Sequence, residues 1–346
     1  MSQEVLSVAS ADKAAPLKVA LIGYGWWGAE AYTPAIQQDG RAKIVAVCAR
    51  SEATLEKARN SLGDSLRLYT CLETMLAEET LDAVFLAVPD KLHEQYLLQV
   101  IQSGVPTFYE PPISHEAARI PIMVDKLLSA PQLLHGDTEL VYAPVFAKAF
   151  ECAQSGLLGD IRHINLRLNS SWGPLTDNGL SLMNNIAPWY IDVICRVVSQ
   201  LPLRVMVFED QEYIQTRTQS QSQAVLDFGK VSATFRANIA SAAAFDETVL
   251  EVYGTEGELT ASYFTGEFRV RVKGDQDWRS EQIDPILPIA GWPGMHESVK
   301  DFFDALLSGG QTRNNPVRMA QLCAIGAAAE QSRNHRNWVD IDYPEC

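Results

Sequence analysis

A chain of 346 residues, 47% hydrophobic and 21% charged, is long enough for two cores of ordinary size and too apolar for a disordered or fibrous protein. Its net charge of −15 gives an acidic surface where a nucleic-acid or anionic-membrane partner requires a basic one, so neither partner is expected. The 6 cysteines show neither CxxC pairs nor Cys/His metal spacing, which points to reduced thiols, no metal and a cytoplasmic location.

Met1 to Pro16 are Ser/Ala-rich and of mixed charge, without the basic start and apolar run of a signal peptide, and are read as a loose tail. No stretch reaches the roughly 18 apolar residues of a membrane span. From Leu17 onward short apolar runs alternate with amphipathic ones. Lys18 to Ile22 reads as a strand, Gly28 to Gln38 as a helix, Lys43 to Cys48 as a strand and Ala53 to Ser61 as a helix. Leu81 to Val88 is apolar throughout, the pattern of a strand buried on both faces. His93 to Ser103 is a helix closed by Gly104, and Pro106 to Tyr109 is a further strand. Strand–helix alternation of this kind specifies a parallel sheet with right-handed crossovers, expected here over residues 17–137 as a Rossmann domain.

Beyond Asp137 the pattern changes. Ile161–Leu168, Arg204–Phe208, Ser222–Asp227, Ser232–Ile239, Thr248–Tyr253 and Arg269–Val272 are consecutive strand candidates, largely alternating apolar and polar residues. Helices are expected at Pro144–Ser155, Asn184–Ser199, Glu297–Leu307 and Pro316–Arg333, so residues 138–346 should form an α+β domain with a large open, mostly antiparallel sheet. Pro188 removes the normal donor to the Asn184 carbonyl and should bend the helix that contains it. Helices on one face of the open sheet leave the other to be covered by a second copy, so a two-fold dimer, or a tetramer containing one, is expected.

Gly23-Tyr24-Gly25-Trp26-Trp27-Gly28 is a GxGxxG placed between the first strand and the first helix. In that context the first glycine permits a tight turn, the second lets backbone approach a pyrophosphate, and the third allows close helix–strand packing. The helix N-terminus then offers free N–H groups to phosphate. An acidic residue at the end of the second strand would hold a ribose 2′-hydroxyl, but the chain has Ala49-Arg50-Ser51. Arg50 can pair with a 2′-phosphate and Ser51 can donate to it, so NADP(H) is the expected cofactor, with NAD(H) second. Val88, Pro89, His93 and Glu110, at the ends of later strands, complete the expected cofactor surface.

With these motifs the chain resembles the family of glucose–fructose oxidoreductase and inositol dehydrogenase. The resemblance runs through Leu81-Asp82-Ala83-Val84, Val88-Pro89-Asp90, His93 and Gly104-Val105, then Glu110-Pro111-Pro112 where the family has Glu-Lys-Pro. Ser155-Gly156-Leu157-Leu158-Gly159-Asp160-Ile161 and Tyr253-Gly254-Thr255-Glu256-Gly257-Glu258-Leu259 are similar to its entry into the second domain and its Tyr-Gly-Thr-Glu-Gly signature. The family's lysine falls on Pro111. Anchored on Asp192, its helical Asp and His fall on Asn185 and Trp189. Neither proline nor tryptophan transfers a proton, and a neutral amide is a poor base, so polyol oxidation by the family's route is not expected.

Tyr190, Asp192, Glu139 and His93 are candidates to substitute, with Asp137 and Tyr142 at the domain junction and Glu110 at the end of a strand feeding the cleft. Pro111-Pro112 is a candidate cis bond. Trp26, Trp27, Trp172, Trp189 and Trp292 fall in segments expected near the nicotinamide and suit a flat or apolar ligand better than a polyol. The biliverdin-reductase branch, with Glu-Tyr-Pro in place of Glu-Lys-Pro, is faintly similar over Leu133-Leu134-His135 to Glu139-Leu140. The resulting expectation is an NAD(P)-dependent oxidoreductase that reduces a small C=N or conjugated substrate. The alternative is a non-catalytic NADP-binding regulator or scaffold of the same fold.

Overall fold

The computed structural model describes residues 15–171, 181–209, 221–241, 246–283 and 292–344. Most of the expected tail and Trp172 lie outside the described residues. The first sheet is built from β1 (Leu17–Ile22), β2 (Ala42–Cys48), β3 (Arg67–Tyr69), β4 (Ala83–Leu86), β5 (Thr107–Tyr109) and β6 (Leu134–Gly136). Its order is β3-β2-β1-β4-β5-β6 and all its pairings are parallel. The crossovers carry α1 (Thr33–Asp39, entered through a π turn at Gly28–Tyr32), α2 (Glu52–Leu62), α3 (Leu72–Glu78), α4 (Asp90–Ser103) and α5 (Ile120–Leu128). Because side chains alternate along a strand, Val19 and Leu21 pack with Tyr32 and Ile36 on one face, while Ala20 and Ile22 meet Leu97 and Met75 on the other. The uniformly apolar β4 divides in the same way, with Ala83 and Phe85 on one face and Val84 and Leu86 on the other.

The second sheet comprises β7 (Ile161–Asn169), β8 (Arg204–Glu209), β9 (Gln221–Asp227), β10 (Ser232–Asn238), β11 (Glu247–Gly254), β12 (Gly257–Ser262), β13 (Glu267–Val272), β14 (Arg279–Gln282) and β15 (Val339–Asp340). Its order is β14-β13-β12-β11-β7-β10-β9-β8-β15, and only β7 and β10 pair in parallel. Ile164, Leu166 and Leu168 of β7 point into a core shared with α6 (Pro144–Gln154), α7 (Leu182–Asn185) and α8 (Ala187–Val198). The opposite face is polar: Arg167 pairs with Glu247 at 3.1 Å and with Glu251 at 3.4 Å.

The helix expected over Asn184–Ser199 is interrupted at Ile186, and α8 restarts with Pro188 in its first turn, where a missing N–H costs least. The chain closes with α9 (Met295–Ser308) and α10 (Pro316–His335). Sequence reading assigned both helices to residues 138–346, yet Met295, Val299, Phe302 and Phe303 of α9 lie in the core of the first sheet. Phe302 meets Phe85 and Phe108 edge-on at 5.7 and 5.6 Å, and burying a ring of this size contributes about 2–3 kcal/mol. The Rossmann core is thus completed by a helix that begins about 160 residues downstream of its last strand.

Candidate active site

The glycine loop has the geometry its spacing requires. Gly23 has φ +92°, and a side chain there would run into the Ala87 carbonyl of β4's following turn. A Cβ on Gly28 would sit 2.8 Å from the Gly23 carbonyl, so the helix packs as closely as backbone allows. Gly25 is different, because a Cβ there would meet nothing within 4 Å and the space beside the loop is open. That cradle, at the carboxyl ends of the parallel strands, fits a dinucleotide pyrophosphate.

Beyond β2, Ala49 is buried and Arg50 exposed. Ser51 caps α2, its hydroxyl accepting from the Thr54 N–H at 3.2 Å and lying 2.8 Å from Thr54 Oγ1. Val88 and Pro89 lead into α4. His93, a catalytic and cofactor candidate, is buried with Nδ1 2.8 Å from the Pro112 carbonyl and Nε2 2.6 Å from that of Val88. Nδ1 faces the Pro111-Pro112 loop, which does contain a cis peptide bond, and Nε2 faces the segment that leads into α4, so neither nitrogen is turned to the cleft.

A cleft of about 540 Å³ opens between the two domains. Each expected family position contributes to its lining: Pro111 from the loop after β5, Asn185 from the end of α7 and Trp189 from the first turn of α8. Glu110 and Glu139 enter from the ends of β5 and β6, Glu139 through a 3-10 turn at Glu139–Tyr142. Trp26, Trp27 and Trp292 form a continuous aromatic wall, with ring centroids 5.9, 5.8 and 5.6 Å apart, and Phe264 extends it 5.9 Å from Trp292. Gly294 holds this corner in place: its φ is +90°, and a Cβ would press on the Glu139 carbonyl and come within 2.7 Å of the Ala143 nitrogen. Tyr263 secures the other side, donating to the Pro293 carbonyl at 2.8 Å.

Of the four catalytic candidates, Glu139 alone combines a titratable group, a position in the cleft and a directed hydrogen bond. It is 3% exposed, and its Oε2 accepts from Trp189 Nε1 at 2.7 Å. Burial pushes its carboxyl well above the usual carboxylate range, and the charge of Asp137 adds to the shift. Glu110 is raised by burial and then by Asp137, Asp90 and Glu139. Asp137 lies behind both. It is 0% exposed, burial pushes it up to about 7, and the nearby Tyr32, Trp27 and Ser298 offset that only in part, since neither carboxyl oxygen makes a hydrogen bond of ordinary geometry. His135 is kept neutral by burial, which lowers it to about 3 while it stacks on Phe108 at 4.5 Å.

Asp192 has a different job. Fully buried, it accepts from Arg196 Nε at 3.1 Å, from Arg318 Nε at 2.9 Å and from Thr138 Oγ1 at 3.1 Å, pinning α8 to α10. Tyr190 lines the cleft but is buried against Phe235 at 5.3 Å, and burial raises its phenol. Tyr142 donates to Asp301 at 2.7 Å. The hub role of Asp137, the Trp189 anchor and the Tyr263–Phe264 side of the wall were not foreseen from the sequence.

Residues 17–135 match the model of an oxidoreductase family with an NAD-binding Rossmann fold, and residues 146–260 match the GFO/IDH/MocA C-terminal domain. The chain belongs to the Gfo/Idh/MocA oxidoreductase family. An oxidoreductase of Formosa agariphila is 23% identical over 70% of this chain and 78% of its own length. An inositol 2-dehydrogenase of Corynebacterium glutamicum is 26% identical over 42% of this chain and 43% of its own. Among solved structures, GenD2 from gentamicin A biosynthesis in complex with NAD superposes with a TM-score of 0.80 at 20% identity, covering 98% of this chain and 100% of that one. The myo-inositol 2-dehydrogenase of Lactobacillus plantarum does so with a TM-score of 0.78 at 22% identity, covering 95% and 100%. For Gfo/Idh/MocA members at these identities the likeness shows a shared fold, with the NAD-binding Rossmann half and the mixed, mostly antiparallel sheet as found here. Among the described residues no helix is long and apolar enough to cross a membrane, and no group of three or more His, Cys, Asp and Glu could hold a metal ion.

Proposed function

We propose that this Gfo/Idh/MocA protein is an NADP(H)-dependent oxidoreductase with an atypical site in which Glu139 handles the proton that a lysine or histidine handles in its relatives. The observation that carries this reading is the Glu139 carboxyl, buried, held by Trp189 and presented to an aromatic cleft beside the glycine loop. The Gly23–Gly28 loop would hold the pyrophosphate, and a bound nicotinamide supplies the hydride. Glu139 delivers its proton to the nitrogen of a C=N group, or to the heteroatom end of a conjugated acceptor, as the carbon is reduced. The carboxylate left behind keeps the Trp189 N–H, so proton loss leaves no orphaned donor. The aromatic wall suits a flat acceptor rather than a polyol. We further propose a two-fold dimer through the open face of the second sheet, in the cytoplasm, without a nucleic-acid partner.

Consumption of NADPH with imines and conjugated acceptors, and none with inositol or glucose, tests the reaction. Tight NADPH binding without turnover across such a panel would favour a regulator, the reading supported by the absence of proton-transfer groups at Pro111, Asn185 and Trp189. The cofactor preference rests on Arg50, exposed beyond β2 where an acidic residue would repel a 2′-phosphate. Arg50→Ala should lower NADPH affinity by roughly 10-fold while leaving NADH nearly unchanged, because one charge-assisted pair is lost. Equal calorimetric affinities for the two cofactors in the parent protein would refute the preference.

A further inference from the structure

The acid–base side chains that line the cleft are acids: Asp90, Glu110, Glu139 and Asp246 contribute to it, and none of the described residues lining it is Lys, Arg or His. Four acids alone would be an ordinary solvated patch, but these belong to a cleft with a second, independent property. One wall is the packed rings of Trp26, Trp27 and Trp292, and Trp26 remains 61% exposed, an unusual burial state for so large an apolar ring. An aromatic face is negative at its centre and attracts a desolvated cation, and a carboxyl kept protonated by burial, as Glu110 and Glu139 are, ionises when a cation arrives to pair with it. The two surfaces together repel phosphate- or carboxylate-bearing substrates and offer a neutral sugar little.

We propose that the substrate of this site is a planar organic cation: an iminium or protonated imine whose ring stacks on the Trp26–Trp27–Trp292 wall and whose charge faces Glu110 and Glu139. The inference rests on the reductase reading above and narrows its substrate class. The chemistry balances in either protonation state. The electrophilic carbon gains a hydride and its two electrons, a C–H bond forms, and the C=N π pair passes to nitrogen, discharging the cation to an amine. A neutral imine first takes a proton from Glu139; an iminium that already carries a fixed charge needs none. Discharge removes the attraction to the acids, so the amine product is released more easily than the substrate unless it is protonated again.

The test uses the full-length protein and calorimetry with three flat bicyclic probes of similar size: N-methyl-3,4-dihydroisoquinolinium as cation, 1-tetralone as neutral, and isoquinoline-1-carboxylate as anion. Each is titrated with and without saturating 1,4,5,6-tetrahydro-NADP, which stands in for NADPH but cannot give up a hydride. With this stand-in present, the cation should bind at least about tenfold more tightly than the neutral probe, with the anion weakest and added salt weakening the cation alone. Glu110→Gln and Glu139→Gln should each reduce cation affinity by about tenfold and alter the neutral probe by less than about twofold. Trp26→Ala, on an exposed ring whose loss does not threaten the fold, should weaken both the cation and the neutral probe. Equal affinity for cation and neutral probe overturns the proposal. So does cation binding that the stand-in abolishes, which would assign the acids to the oxidised nicotinamide ring itself. A protein that fails to bind NADPH at all refutes the reductase reading instead, and the titrations without cofactor still judge the cation site.

Discussion

Glu139→Gln should lower kcat for reduction of a neutral imine or conjugated acceptor by about 10²–10⁴-fold while leaving NADPH affinity and the melting temperature close to those of the parent. The size of the effect follows from what the substitution keeps. Glutamine fills the same volume and its carbonyl oxygen can still accept from Trp189 Nε1, now 2.7 Å from the carboxylate oxygen, so the wall of the cleft stays in place. Only the proton is lost. In the parent, activity for reduction should fall as pH rises through the elevated pKa of Glu139, because the protonated form is the donor. An acceptor with a fixed positive charge at nitrogen should escape most of the kcat loss, because it needs no proton. A variant that reduced neutral imines at parental rates would remove Glu139 from the reaction.

The second large effect is on stability. Asp137 is raised from its ordinary value of 3.8 to about 7 by burial, and Glu110 and Glu139 are raised in the same direction. A carboxyl whose folded pKa exceeds its unfolded one contributes fully below the unfolded pKa and loses that contribution as pH rises through the folded pKa. The affected window runs from about pH 4 to about pH 7 and above for Asp137. A shift of that size corresponds to at most about 4 kcal/mol by pH 8, at roughly 1.4 kcal/mol per unit. The parent should therefore melt at a lower temperature at pH 8 than at pH 5.5. Asp137→Asn should remove much of that difference and exceed the parent in stability at pH 8, with the two drawing together as pH falls toward 4. The paired comparison separates this local effect from general repulsion by the net charge of −15, which the variant barely changes. A parent more stable at pH 8 than at pH 5.5 would mean that the three carboxyls ionise freely in the folded protein.

The features that were legible in the sequence were those set by local periodicity. β1, β2 and β4 follow from short apolar runs bounded by turns, and the Gly23–Gly28 spacing specified both a turn and the helix after it. Pro188 fixed the break before α8 because an imide nitrogen cannot donate. β12 was missed because Gly257 and Glu258 were read as part of a turn signature, and the weakly apolar Thr260 to Ser262 gave no strong alternation beyond it. The return of α9 to the first core was illegible because nothing local records a contact between Phe302 and Phe85.

For the site, Glu110 was visible as an acid at a strand end and Asp137 and Glu139 as acids at the domain junction, but as separate candidates. Parallel strands send all their carboxyl ends to one edge, so acids just after β5 and β6 had to meet there. The acids were present; their consequence, Asp137 close enough to raise both Glu110 and Glu139, required the topology. Asp192 and His93 show the opposite error. Their residue types suited catalysis, but Arg196 and Arg318 engage the first and two backbone carbonyls the second.

If a buried glutamate in an aromatic cleft handles the proton here, NADPH consumption monitored across an acceptor panel will show it. The parent should turn over imines and conjugated carbonyl acceptors, Glu139→Gln should lose that turnover, and neither should oxidise inositol or glucose with either cofactor. Robust polyol oxidation by the parent, undiminished in Glu139→Gln, would remove Glu139 from the chemistry.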